Sequence, residues 1–232
     1  MKRFYKSVSV AEIEGGFGIK LDARDLRTPA KRALMLPTVK LAEALAEEWD
    51  AQQDEILPDA MPMMKLVGTA LDLVADRCQA VIDEAASYAG TDMLCYRADG
   101  PAKLVERQAR LWQPHLDWAA LRYDAPLRVT TGVVPIAQPE SSLKALRAAL
   151  AAYDPLPLTA VADLTSLCGS LVLALAIAEG RLDADAAFDA AMLDESFEIE
   201  QWGEDAEASR RRDRQRRDIA AAARLLTLLG GD

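Results

Sequence analysis

Along the start of the chain, hydrophobic and polar positions alternate. In FYKSVSVAEIEGGFGIKLDARDLRTP the apolar positions Val8, Val10 and Ile13 lead into Phe17, Ile19 and Leu21, close to the two-residue repeat of half-buried strands. The Gly15-Gly16 pair between the runs signals a hairpin. A further short strand, RALMLP, is expected after the turn at Thr28-Pro29. From Thr38 the period becomes helical. Leu41, Leu45 and Trp49 fall four apart on one stripe of a helix that Thr38 can cap and that runs to about Gln53. ILPDAMP, with Pro58 and Pro62, predicts loop or extended chain. Met64, Val67, Leu71 and Val74 mark the next helix, and 79–89 another, ended by Gly90.

Leu104 to Tyr123 predicts a long helix that Pro114 should start, kink or divide. LRVTTGVVPI, at 127–136, is the one late strand or hairpin, and a return to the N-terminal sheet is one pairing open to it. Helices are then expected at about 140–152, 158–179, 184–201 and 204–229. The fold class is therefore α+β. A small N-terminal α/β domain with antiparallel strands, 1–76, precedes a larger C-terminal helical bundle, 77–232.

Composition sharpens this picture. At 51% hydrophobic but only 6% aromatic, the core must be built from Ala, Leu and Val, which favours helices. The longest apolar run, LCGSLVLALAIA, lies between Asp163 and Glu179, is too short to span a bilayer and predicts a buried core helix. The formal charge of −10 repels phosphate backbones, so nucleic acid is not the expected partner. Cys78, Cys95 and Cys168 lie far apart with no CxxC pair, as expected of free thiols in a reducing compartment. MKRFYK resembles neither a signal nor a transit peptide, so a cytoplasmic protein is expected.

The inventory for catalysis is thin. His115 is the only histidine, which excludes sites needing two imidazoles; on a helix between two tryptophans it is more readily a packed residue than a base. No cysteine has a local charged setting that would activate it, and GGFG lacks the pattern of a phosphate-binding loop. The strongest carboxylate cluster is LDESFEIEQWGEDAEA, 193–208. On a helix Glu195 and Glu198 share a face, with Trp202 one turn on. Gly203 should break that helix and leave Glu204 and Asp205 at the start of the next, where the helix dipole favours acids. Solvated capping acids, a hard-cation site and a negative docking surface anchored by Trp202 and Phe197 are the three readings; the second would make the chain a carboxylate-based metal-dependent hydrolase using 194–205. In SRRRDRQRRD, Glu207 with Arg211 and Asp213 with Arg217 have the spacing of helix-surface ion pairs, which is favoured over a nucleic-acid arm. EEWDAQ, TDMLCYRA and RQARLWQPHLDW join Trp or Tyr to Gln, Asp or Arg, residue types that include those enriched at binding hot spots.

Taken in order, RFYKSV, LDARDLRTPA, LPTVKLAEALAEEWDAQ, ILPDAMPM, TDMLCYRA, LWQPHLDWA, GSLVLALA, LDESFEIEQWG and GEDAEA resemble the chaperone family that assembles the head of mitochondrial and bacterial F-type ATP synthase by binding its alpha subunit. The likeness runs from Arg3 to about Leu229. It implies an N-terminal α/β unit with a C-terminal orthogonal helical bundle. It also implies a monomeric protein that keeps unassembled alpha subunit from aggregating until the beta subunit displaces it, with no cofactor and no reaction catalysed. The partner-binding positions it suggests are Glu195, Trp202 and Gly203, flanked by Glu198, Glu204 and Asp205. Relatives tend to have Gln where this chain has Glu198, which keeps a polar surface but not an amide.

Overall fold

The computed structural model describes residues 1–132, 134–203 and 205–230, which divide into two compact units. One comprises Met1–Cys78, Asp154–Ala160 and the chain from Arg224 onward; the other comprises Gln79–Tyr153 and Val161–Ala223.

In the first unit β1 (Val8–Ile13), β2 (Gly16–Leu21) and β3 (Arg24–Asp25) form an antiparallel sheet in that order, Val8 facing Leu21 and Ile13 facing Gly16 across the hairpin. Gly16 is obligatory there: a Cβ would stand 2.4 Å from the carbonyl oxygen of Leu36. Ile19 and Leu21 point inward, and α1 (Val39–Asp50), capped by Thr38, covers the sheet with Leu41, Leu45 and Trp49, all buried. The RALMLP segment is not a continuous strand. Ala33 pairs with Arg27 while Leu36 pairs with Phe17, and two single bridges to different partners never build a ladder. In ILPDAMP a single 3-10 turn, Pro58–Ala60, precedes α2 (Pro62–Thr69). The α2 N-terminus has no local side-chain cap; the Glu48 carboxylate of α1 instead accepts the N–H groups of Met63 and Met64 at 2.7 and 2.9 Å. A π-helical turn, Ala70–Val74, joins α2 to α3 (Ala75–Ser87).

The second unit is mainly helical; its strands among the described residues are β4 (Tyr96–Arg97) and β5 (Thr130–Thr131), which pair in parallel with each other. The late strand therefore does not return to the N-terminal sheet. The N–H of Gly132 also donates to the Arg97 carbonyl, so local geometry satisfies this backbone. α4 (Ala102–Tyr123) runs unbroken through Pro114, with Gln108, Trp112, Leu116 and Ala119 buried along one stripe. The carbonyl that Pro114 leaves without its helical donor belongs to exposed Arg110, where water can serve it. α5 is Glu140–Ala151.

The predicted helix at 158–179 is two helices, α6 (Pro155–Cys168) and α7 (Leu171–Ala178), divided by Gly169 at φ +63° and by Ser170, whose hydroxyl caps α7 at the N–H of Leu173. Leu171 to Ile177 are all buried, so α7 is the core of this unit. The span 184–201 is likewise divided at Met192 into α8 (Ala184–Ala191) and α9 (Leu193–Trp202), and α10 is Ala206–Leu229. Among the described residues no helix is long and apolar enough to cross a membrane.

Candidate functional site

α9 turns Leu193 and Phe197 into the core and leaves its acids on the other faces. Most of those acids are committed. Gln108 of α4 donates to Asp194 at 2.7 Å, and Arg107 grips Glu200 with two N–H groups at 2.6 and 2.9 Å while lying over the Phe197 ring. This pairing holds the Glu200 carboxyl below the usual carboxylate range. Glu195 meets Arg211 of α10 at 2.5 Å and Arg212 at 3.8 Å; Arg212 also donates to the Ser196 hydroxyl. Asp205 directly precedes α10. Its side chain accepts the N–H groups of Glu207 and Ala208 at 2.7 and 2.9 Å, and these two donors lower its pKa.

The arginine run is likewise used inside the fold, through partners other than the predicted helix-surface pairs. Arg211 turns to Glu195 instead of Glu207, and Arg217 donates to the Asp213 backbone carbonyl. Arg216 pairs with Asp185 at 2.6 Å and Asp189 at 3.4 Å and lies over the Phe188 ring. For Arg211 and Arg216, tertiary partners at short range outcompete the weak coupling of exposed neighbours on one helix.

Of the six predicted positions, Glu195 ties α9 to α10 through Arg211 and Arg212, and Asp205 caps the start of α10. Gly203 supplies the positive φ, +84°, that lets α9 stop, and Glu204 lies outside the described residues. Glu198 and Trp202 remain. Both are exposed, one helical turn apart, and Trp202 is 80% exposed, among the described residues the second most open large hydrophobic side chain after Leu121. Arg107 and Gln108, which fix α9, escaped the sequence reading as site residues, although RQARLW had stood out for its mix of aromatic and amide groups.

The other candidates offer little chemistry. Among the described residues no three His, Cys, Asp or Glu side chains converge to hold a metal ion. Burial, and then the charge of Arg181, lower the pKa of His115, favouring the neutral ring; its Nδ1 is buried without a hydrogen-bond partner. Burial pushes the Cys95 and Cys168 thiols up to about 12, so neither is a thiolate at neutral pH.

Residues 2–120 match the family model described as "ATP12 chaperone protein". The crystal structure of Atp12 from Paracoccus denitrificans is 44% identical, with a TM-score of 0.94 over 99% of this chain and 98% of that one. That of the Atu1473 protein from Agrobacterium tumefaciens is 45% identical, with a TM-score of 0.94 over 99% of this chain and 86% of that one. "Protein atp12, mitochondrial" of Schizosaccharomyces pombe is 23% identical over 214 residues, 87% of this chain and 74% of the relative. With half its length matched by one family model and nearly all of it superposed on an Atp12 at 44% identity, this chain belongs to the ATP12 chaperone family.

Proposed function

We propose that this chaperone serves assembly of the F-type ATP synthase head: it holds the unassembled alpha subunit, keeps it from aggregating, and yields it when the beta subunit competes for the same surface. Family membership supports the assembly role. The observation that carries the contact surface is Trp202, an 80% exposed indole beside Glu198 on a helix whose neighbouring carboxylates are tied to arginines. Holding an exposed tryptophan on a fixed helix suits it to anchor a partner, because little order is lost on binding. A subunit waiting for its neighbour exposes apolar surface that invites aggregation. Covering it needs only mass action, with stabilisation growing as RT ln(1 + [L]/Kd), and release needs only a competitor with a larger interface. An interface of roughly 1,600 Å2 would suffice. No step in this cycle makes or breaks a covalent bond.

The test is titration of the purified protein with its cognate alpha subunit, followed by binding and light scattering. Trp202→Ala should weaken capture about tenfold or more and leave the thermal midpoint unmoved, since the side chain packs on little. Glu198→Lys should weaken it less. Capture undiminished in Trp202→Ala rejects this surface; wild-type protein that ignores alpha subunit and leaves its aggregation unchanged rejects the function. Glu195→Lys is the poorer probe, because it would also break the pairs with Arg211 and Arg212.

A further inference from the structure

Within the first unit lies a cleft of about 800 Å3 that α9 and its neighbours have no part in. Pro29, Trp49, Ile56, Met61, Met64 and Leu73 supply most of its apolar wall. Its size falls in the ordinary range of ligand sites. Three of the segments that carry the family resemblance, LDARDLRTPA, EEWDAQ and ILPDAMPM, meet here although they are far apart in sequence.

Four features describe what would fill it. First, the wall is adaptable: two methionines, both nearly buried, present flexible thioethers that mould to irregular apolar shapes. Second, the apolar surface does not stop at the mouth. Leu73 at the rim is 54% exposed, so an occupant extends beyond the cleft onto the surface, as a polypeptide segment does and a compact metabolite does not. Third, Trp49, only 8% exposed and held by its packing, gives the cleft a rigid aromatic wall. Fourth, the rim has a charge preference. Asp72 is turned inward, accepting the Thr28 hydroxyl at 2.6 Å and the Ala30 N–H at 2.9 Å beside Arg32. That leaves Arg27 and Lys65, neither in an ion pair among the described residues, against the single carboxylate of Asp59. The π-helical turn Ala70–Val74 places Asp72 and Leu73 at this edge, and such turns are frequent at functional sites.

We infer that this cleft is a second client-binding site, which takes an apolar segment of the captured alpha subunit flanked by a carboxylate. Apolar side chains of that segment fill the space between Trp49 and the two methionines, and the carboxylate lies against Lys65 and Arg27. The inference rests on the chaperone reading above and assigns it a surface on the other unit.

The experiment uses the whole chain and purified alpha subunit. Ala30→Trp places an indole in the cleft from an exposed loop position whose backbone N–H still reaches Asp72. It should weaken capture on the order of tenfold. Lys65→Glu, an exposed change that leaves the packing alone, should weaken capture several-fold and reduce its dependence on salt. Arg27→Glu, likewise at an exposed position on the rim, should weaken capture in the same direction. If wild-type protein holds alpha subunit and Lys65→Glu and Ala30→Trp hold it equally well, the cleft proposal is overturned and the chaperone reading stands. Should Ala30→Trp fail to fold, Lys65→Glu and Arg27→Glu decide the matter. If wild-type protein does not hold alpha subunit, both fall together.

Discussion

Asp92 is fully buried, and its carboxylate accepts the N–H groups of Leu94 and Val172 at 3.1 Å each and the Ser170 hydroxyl at 2.9 Å. Burial nevertheless prevails over these donors and pushes its pKa from 3.8 up to about 6. The folded state thus holds this proton more tightly than the unfolded chain. Its contribution is complete below the unfolded value of 3.8 and is lost as the pH rises through the folded value of about 6. Asp92→Asn cannot titrate. Urea unfolding across that window should therefore show wild-type stability falling relative to the mutant by roughly 3 kcal/mol; a constant difference would mean that Asp92 titrates normally. TDMLCYRA drew notice in the sequence for its Asp and Tyr, but the partner that gives Asp92 its role, Ser170, is 78 residues away. The same distance problem hid the pairing of Glu195 with Arg211, since local spacing offered Arg211 a nearer acid in Glu207.

At the scale of elements, α4 keeps its course through Pro114 because its buried stripe continues on both sides of the proline, with Trp112 donating to the Ala190 carbonyl before it and Leu116 and Ala119 packed after it. An interior proline still costs a helix about 3 kcal/mol in the absence of such packing. Pro114→Ala should therefore raise the stability by about 1–3 kcal/mol, read as a higher denaturant midpoint with unchanged slope. A lower midpoint would show that the ring itself is part of the packing. The opposite error in the sequence reading, joining α6 to α7, has a matching cause. The segment from Leu171 to Ala178 is wholly apolar and so has no helical period of its own, and the Gly169-Ser170 pair, a helix end followed by a cap, carried the signal of the break. The predicted third strand failed for a further reason: Ala33 bridges to Arg27, outside any strand, while Leu36 bridges to Phe17 of β2.

Across the whole molecule, charge decides which macromolecules are accepted. The formal charge is −10, and the arginine run of α10 supplies cations to the acids of α8 and α9. The protein should therefore pass through a DNA column at moderate salt without retention. Retention that falls steeply with salt would show that those arginines are available to phosphates. Surfaces suited to a protein partner lie on both units: the open Trp202 of α9 in one, and the apolar cleft with its basic rim in the other.

The amino-acid order by itself determined the N-terminal hairpin, the α1 stripe, the helical remainder and the family, because each is written in neighbouring residues: period, turn glycines, caps and motif order. It also placed Trp202 and its flanking acids at a helix end. Only the tertiary structure decided which of those acids are spoken for, where β5 pairs, and that Pro29, Trp49 and Met64 share one cleft. Ion pairs, strand partners and cavities are made by groups distant along the chain, and their energies depend on a proximity that no local pattern encodes.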